Sequence, residues 1–166
     1  MAGSKAGRKP QKVGDKIILA RNRRALHDYE VLETFEAGMV LAGTEVKAAR
    51  DGKVQLKDAY VDVRNGEAWL VGAHISPYSH GNRQNHPADR DRKLLLSRRE
   101  LDRIYGRTQL KGQTAIPLSV YLRGNWLKLE VALAQGKKHY DKRETVKKRI
   151  LDREAEAAIK GGSAHR

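Results

Sequence analysis

The stretch AYVDVRNGEAWLVG, residues 59–72, carries the clearest fold signal in the chain. Two segments in which apolar and polar residues alternate, 59–64 and 67–72, flank the dipeptide Asn65-Gly66. Both positions of a tight two-residue hairpin turn need a positive φ, and Asn and Gly adopt a positive φ more readily than other residues. Residues 59–72 are therefore predicted to form an antiparallel β-hairpin.

The segments around this hairpin are predicted to add more strands and short helices. They are a helical turn at 17–25, a strand at 29–42 with a turn or bulge at Gly38, a helix at 43–50 capped by Thr44 and stopped by Asp51-Gly52, a helix from the Ser97–Glu100 capping box to about Tyr105, and strands at 114–122 and 126–134. Residues 76–92 are polar and are predicted to form a long exposed loop. Several antiparallel strands with one intervening helix predict a mainly β fold, a small closed antiparallel β-barrel of the oligonucleotide-binding type.

The charge of the chain indicates a polyanionic partner. It has 34 Lys and Arg against 20 Asp and Glu, a formal net charge of +14, and this charge is clustered at both ends and around residues 83–103. Such a field raises the local concentration of phosphates and speeds association with nucleic acid. The alternatives are a merely soluble basic surface or an anionic membrane, but no apolar run approaches the roughly 20 residues that span a bilayer. We expect a nucleic acid partner and no membrane.

Composition divides the chain into three parts. Residues 1–16 are predicted to be a disordered basic arm, 17–135 a β-barrel RNA-binding domain, and 136–166 a basic tail. The tail has ten Lys or Arg against five Asp or Glu and too few large apolar residues to keep a helical stripe. It should therefore be mobile when free. From 142 to about 160 its propensity is helical, which would give a rod of roughly 27 Å at 1.5 Å per residue.

Signs of catalysis or metal binding are sparse. The chain has no cysteine, which excludes disulfides and Cys-ligated zinc, and it has no phosphate-binding glycine loop or nucleophile motif. His74, His80 and His86 recur every six residues and could bind a metal, but their spacing fits no helix or strand face, and a polar loop explains them as well. We expect no metal, no cofactor and no small-molecule substrate. The N-terminus lacks an apolar signal segment, so a cytoplasmic location is expected.

One enzymatic alternative stays open. His27, Asp28, Glu33 and Glu36 could imitate the acid–base groups of a small hydrolase or nuclease. A nuclease of this size would normally have a tighter group of carboxylates or histidines.

Seven short motifs occur in order along the chain. They are Asn22-Arg-Arg-Ala-Leu-His27-Asp-Tyr29, Phe35-Glu36-Ala-Gly38, Gly43-Thr-Glu45-Val-Lys47, His74-Ile-Ser-Pro77-Tyr78, Arg92-Lys93-Leu94-Leu95-Leu96, Arg99-Glu100-Leu101 and Gly136-Lys-Lys…Asp141-Lys-Arg143. Together they resemble SmpB, the tmRNA-binding (SsrA-binding) protein family of bacteria. The resemblance implies an oligonucleotide-binding-fold barrel with a non-enzymatic role: it binds the tRNA-like domain of tmRNA and delivers it to stalled ribosomes for trans-translation. A general structured-RNA-binding or ribosome-associated protein is the alternative.

The resemblance also implies which side chains line or support the RNA-binding face. They are Asn22, Arg24, His27, Tyr29, Glu36, Glu45, Lys47, Arg92, Lys93 and Leu95. Of these, Arg24, Lys47, Arg92 and Lys93 are expected to neutralise phosphates, and Asn22 and Glu36 to bond base or ribose edges. Other readings stay open: Tyr29 and Leu95 could be core residues, Glu36 could pair with a neighbouring Arg, and Glu45 could only favour a helix dipole.

For the tail, the resemblance implies contact with the ribosome. Gly136, Lys137 and Lys138 would form a basic hinge at the decoding centre, and Asp141, Lys142 and Arg143 would begin a helix in the empty mRNA channel. Tyr140 lies where many relatives carry His, and either ring can stack on a base. The free protein is expected to be a monomer.

Overall fold

The computed structural model describes residues 11–80, 85–137, 147–151, 153 and 154. Residues 147–151, 153 and 154 are helical, and ten strands and three helices lie between residues 11 and 136. In chain order they are β1 Gln11–Val13, β2 Lys16–Arg21, α1 Arg23–Asp28, β3 Tyr29–Met39, α2 Gly43–Arg50, β4 Val54–Gln55, β5 Tyr60–Arg64, β6 Glu67–Val71, β7 His74–Ile75, β8 Arg92–Leu95, α3 Arg98–Thr108, β9 Gln113–Arg123 and β10 Trp126–Gly136.

Six of the strands close into an antiparallel ring. The order is β9, β10, β3, β8, β6 and β5, and the ring returns to β9 where Val61 lies opposite Ala115. Strands β2 and β1 continue the sheet outward from β9, while β4 and β7 form a separate two-stranded ladder. The predicted small antiparallel barrel is confirmed.

The hairpin at residues 59–72 forms as predicted. Strands β5 and β6 pair from Tyr60 opposite Val71 to Arg64 opposite Glu67. Asn65 and Gly66, which connect them, have φ values of 51° and 75°. These positive angles are those that a tight hairpin turn between right-twisted strands requires.

The barrel interior is small and mainly aliphatic. Its largest buried side chains include Leu70, Leu129 and Leu133, and Ile104 of α3 packs among them. A second, smaller apolar cluster lies outside the barrel, where Ala25 of α1 packs with three strand residues: Ile116, Ala132 and Ala134. This outer cluster fixes α1 on the outside of the sheet.

Helices α2 and α3 begin and end close to the predicted positions. The cap of α3 is the predicted box, because Ser97 Oγ accepts from the Glu100 amide and Glu100 Oε1 accepts from the Ser97 amide. The predicted cap of α2 by Thr44 is wrong, since Thr44 lies inside the helix and bonds to His86. Glu45 instead accepts from the Ala42 amide at 2.9 Å.

The N-terminal predictions need correction. Residues 17–25 do not form one helical turn, because Lys16–Arg21 is strand β2 along the edge of β9, and helix α1 starts only at Arg23. The predicted boundary of the disordered arm, residues 1–16, lies too far along the chain. Gln11–Val13 pairs with β2, whereas residues 1–10 lie outside the described part of the chain.

Two further differences concern β3 and β8. Gly38 is no bulge; the irregularity of the β3–β10 pairing lies between Leu133 and Ala134. Gly38 instead makes room for Leu95, whose Cβ would lie 3.2 Å from a Cβ added at Gly38. The loop predicted for residues 76–92 extends one residue too far, because strand β8 begins at Arg92.

We predict opposite effects from two glycine-to-alanine substitutions. Gly66→Ala puts a side chain at φ 75° and should lower the free energy of unfolding by about 1 kcal/mol. Gly106→Ala, inside α3 with open space around it, should raise it by about 1 kcal/mol. Urea unfolding of both variants checks this. Equal effects would contradict the turn geometry assigned to Gly66.

Candidate nucleic-acid interface

The outward faces of β9, β10, β3 and β8 form one continuous surface, which we call the outer wall. Along β10, Leu129 and Val131 are buried, so Lys128 and Glu130 project outward. The pairing places Lys128 opposite Gly38 of β3. Gly38 in turn lies opposite Leu95 of β8.

Glu36 lies on this wall and already has partners. Its Oε2 accepts from the Tyr121 hydroxyl at 2.7 Å and pairs with Arg123 Nη1 at 2.7 Å. Burial and the Glu36 carboxylate raise the pKa of the Tyr121 hydroxyl, which keeps it a donor. Lys16 Nζ lies 4.6 Å from the centre of the Tyr121 ring. The pairing of Glu36 with a neighbouring Arg is therefore observed, and contact with RNA stays a prediction.

Asn22 is a structural cap. Its side-chain oxygen accepts from the Ala25 amide, and its amide nitrogen donates to the carbonyls of Pro117 at 2.9 Å and Leu56 at 3.3 Å. The residue is buried. These bonds occupy the polar atoms that were expected to read base or ribose edges, so Asn22 supports the interface by positioning α1.

Helix α1 carries exposed polar groups at one end of the outer wall. The Arg24 side chain is 61% exposed and approaches Asp28 at 3.4 Å. His27 Nδ1 lies 2.9 Å from Asp28 Oδ1 and is also accessible. Tyr29 is half-buried against the outer cluster. Arg24 and His27 can therefore reach a ligand without unfolding any part of the helix.

A buried ion cluster fixes α2 to the barrel. The Glu45 and Arg92 side chains are both 0% exposed, and Arg92 Nε lies 2.5 Å from Glu45 Oε2. Arg90 pairs with the other carboxylate oxygen. Arg92 also donates to the carbonyls of Ala73 at 2.9 Å and Ala88 at 2.8 Å. The expectation that Arg92 neutralises phosphates is wrong for this structure, because its guanidinium is enclosed by protein.

The pKa of Glu45 reflects the same contacts. Burial alone would raise the pKa of this carboxyl. Hydrogen bonds from Arg90, the Ala42 amide and Arg92 outweigh burial, so the pKa lies below its ordinary value. Glu45 therefore stays ionised and does more than favour a helix dipole.

The remaining predicted contacts are accessible. Lys47 is exposed on α2, with Nζ 5.6 Å from the centre of the Tyr78 ring. Lys93 pairs with Glu67 at 3.1 Å on the surface. Leu95 is 54% exposed on the outer wall, which makes it a surface residue and not part of the core.

The three histidines of the predicted metal alternative have separate partners. His74 bonds to Asp89, His86 bonds to Thr44 and the Ile75 carbonyl, and His80 contacts the Tyr78 ring edge-on. Within the described residues, no group of three His, Cys, Asp or Glu side chains could hold a metal ion.

The tail leaves the barrel beside α1. Gly136 ends β10 opposite Tyr29, and the Lys137 amide donates to the Asp28 carbonyl at 3.0 Å. Lys137 Nζ donates to the Leu26 carbonyl at 3.1 Å. Residues 147–151, 153 and 154 are helical and exposed. The other predicted ribosome-binding residues lie outside the described residues: Lys138, Tyr140, Asp141, Lys142 and Arg143.

A family model described as SmpB protein matches residues 19–161. The chain belongs to the SmpB family. The SsrA-binding protein of Carboxydothermus hydrogenoformans is 52% identical over 143 residues, covering 86% of this chain and 96% of the relative. That of Pelobacter propionicus is 52% identical over 148 residues, covering 89% and 97%. The family resemblance read from the motifs is confirmed.

A solved structure supports the same assignment. It is described as "tmRNA-SmpB: a journey to the center of the bacterial ribosome" and is 43% identical in sequence. The match covers 76% of this chain and 93% of the solved chain, with a TM-score of 0.62. In the described part of this SmpB-family chain, no helix has the length and apolar character needed to cross a membrane.

Sequence reasoning missed several residues that shape the interface of this SmpB-family protein. Arg123 and Tyr121 organise Glu36, and Arg90 completes the Glu45 cluster. The sequence pattern assigns Arg123 to a turn and Tyr121 to an alternating strand, and neither assignment indicates a contact with Glu36. Their meeting with Glu36 depends on strand pairing, which the local pattern does not specify.

We predict that Glu45→Gln destabilises the protein by about 3 kcal/mol, because it leaves Arg92 as a buried charge without a counter-ion. The surface substitution Glu67→Gln is the control and should change stability by less than about 0.5 kcal/mol. Urea unfolding at neutral pH measures both, and similar values would contradict the role of the cluster.

The pH dependence gives a second test of Glu45. Its lowered pKa means that its stabilisation is complete above the ordinary glutamate pKa and is lost as the pH falls through the lowered value. The stability difference between wild type and Glu45→Gln should therefore narrow in acid. A difference that is constant from neutral to acidic pH would contradict this assignment.

Proposed function

We propose that this chain is an RNA-binding adaptor that binds the tRNA-like domain of tmRNA and delivers it to stalled ribosomes for trans-translation. It performs no catalytic step. The observation that carries the proposal is the family match over residues 19–161, with relatives named SsrA-binding proteins at about half identity. The solved structure described as tmRNA-SmpB at the bacterial ribosome supports both partners, tmRNA and the ribosome.

The barrel offers the chemistry that a tRNA-like fold requires. Such an RNA presents A-form phosphates, 2′-hydroxyls and unstacked loop bases. Arg24, Lys47 and Lys93 are accessible cations that can bind phosphates, while Leu95 offers an apolar surface. His27 and Tyr29 lie at the C-terminal end of α1, the helix that also carries Arg24, and Glu36 lies on the outer wall. The buried residues Asn22, Glu45 and Arg92 act by positioning α1, α2 and β8.

The tail is proposed to enter the ribosome. Gly136 and Lys137 leave the barrel beside α1, so RNA bound on that side lies next to the root of the tail. In our proposal Lys138, Tyr140, Asp141, Lys142 and Arg143 bind at the decoding centre, and the helix that follows lies in the empty mRNA channel. The positive charge of the tail is suited to a channel lined by RNA.

The proposed cellular location follows from these partners. A protein that binds tmRNA and ribosomes works in the cytoplasm, and we propose that it is a monomer when free. The main alternative is a general structured-RNA-binding or ribosome-associated protein, which the charge of +14 alone would equally support.

Filter binding distinguishes these two functions. The protein should prefer the tRNA-like domain of tmRNA strongly over an unrelated structured RNA of equal length at matched salt. Equal affinities would contradict the specific function and favour the general one.

One cation gives a quantitative test of the interface. Lys47→Ala should reduce the slope of log affinity against log salt by about 1, because one phosphate contact is lost. Lys111→Ala removes an exposed lysine after α3 and should leave the slope unchanged. The same reduction in both variants would mean that charge acts without a defined contact.

A tail truncation separates the two proposed partners. A chain ending at Lys137 keeps the contacts with Asp28 and Leu26, so its affinity for tmRNA should be nearly that of the full protein. Peptide tagging on stalled ribosomes should be abolished in a reconstituted translation assay. Loss of tmRNA binding by this variant would show that the division between barrel and tail is wrong.

A further inference from the structure

Trp126 is the most exposed large apolar side chain among the described residues. It is 74% exposed and opens β10 directly after the turn at Gly124-Asn125. The next residue, Leu127, packs against the core, so Trp126 projects to the opposite side, onto the outer wall. The second tryptophan, Trp69, is half-buried. A large aromatic side chain left in water at the end of a strand contributes little to the fold and suits a contact with a ligand.

The surroundings of Trp126 combine apolar and positive groups. Lys128 lies two residues further on the same face, about 7 Å along the strand. Lys128 is opposite Gly38, and the exposed Leu95 packs over Gly38. Arg123 is the cross-strand partner of Trp126. The result is a small apolar surface on the outer wall with cations at its edges.

The carboxylates on this part of the wall already have partners. Glu36 is engaged by Arg123 and the Tyr121 hydroxyl, and Glu67 is engaged by Lys93. Asp15 pairs with Arg123, and Glu130, four residues from Trp126 along β10, accepts from the Ser119 hydroxyl. Within the described residues, no ion pair involves Lys128. The open charge beside Trp126 is therefore positive, which favours an anionic ligand that also has an aromatic face.

We propose that Trp126 stacks on an unstacked nucleobase of the bound RNA, with Lys128 against an adjoining phosphate. This inference rests on the proposed RNA-binding function and adds a contact at the end of the wall farthest from α1. Base–aromatic stacking tolerates any base, since every base has a π-face, and it is worth about 1–3 kcal/mol per base. The contact therefore strengthens binding wherever the RNA presents an unpaired base.

The experiment uses the full-length chain and the tRNA-like domain of tmRNA. Intrinsic fluorescence is followed during titration, and affinity is measured by filter binding for wild type, Trp126→Ala and Trp126→Phe. Tyr105→Ala is the matched control, because Tyr105 is an exposed aromatic on α3 away from this patch. Trp126→Phe retains an aromatic face and reports on stacking even if Trp126→Ala disturbs the turn between β9 and β10.

We expect RNA to quench the wild-type fluorescence, and we expect clearly weaker quenching in Trp126→Phe, where only the half-buried Trp69, opposite Lys93 of β8, remains. Affinity should fall roughly tenfold in Trp126→Ala, much less in Trp126→Phe, and not at all in Tyr105→Ala. Unquenched wild-type fluorescence, or unchanged affinity in Trp126→Ala, would overturn the inference. The proposed function would still hold in that case if the wild-type protein binds the tRNA-like domain tightly and selectively. Wild type that binds all structured RNAs equally would instead contradict the proposed function.

Discussion

The buried contact between Glu45 and Arg92 is the interaction on which the rest of the structure depends. Two charged groups taken out of water are strongly unfavourable unless each finds its partner and its remaining hydrogen bonds are satisfied. Here Arg92 uses its other nitrogens on backbone carbonyls, and Glu45 also pairs with Arg90 and accepts from the Ala42 amide just before α2. The cluster joins α2, the segment before β8 and β8 itself, so these parts can take only one relative arrangement.

This constraint gives the interface its fixed geometry. The cap at Asn22 fixes α1 in the same way, through bonds to carbonyls of β9 and of the segment after β4. Accessible side chains such as Arg24, Lys47 and Leu95 then project from elements whose positions are set by buried polar bonds. RNA can be bound by this surface without the entropic penalty of ordering it first.

The sequence predicted the elements with strong local signals. The Asn65-Gly66 turn, the Ser97–Glu100 capping box and the alternating strands β9 and β10 were all placed correctly, because turn chemistry and period are local properties. Strand β2 was mistaken for a helical turn, because its pairing with β9 and β1 is not specified by the local sequence pattern. Arg92 was taken for a surface cation, because a charged residue is seldom fully buried and its partner, Glu45, is distant in sequence. The ordered motifs identified the family, but they could not separate residues that contact RNA from residues that hold them in place.

Amide hydrogen exchange on the full-length protein, alone and with the tRNA-like domain of tmRNA, tests the central claim most directly. The claim is that a surface held by buried polar bonds binds this RNA while the tail takes no part. RNA should slow amide exchange in α1, in α2 and at the end of the outer wall that carries Trp126. Exchange in residues 138–166 should not change. Slowing confined to residues 138–166, with α1 and α2 unchanged, would contradict it.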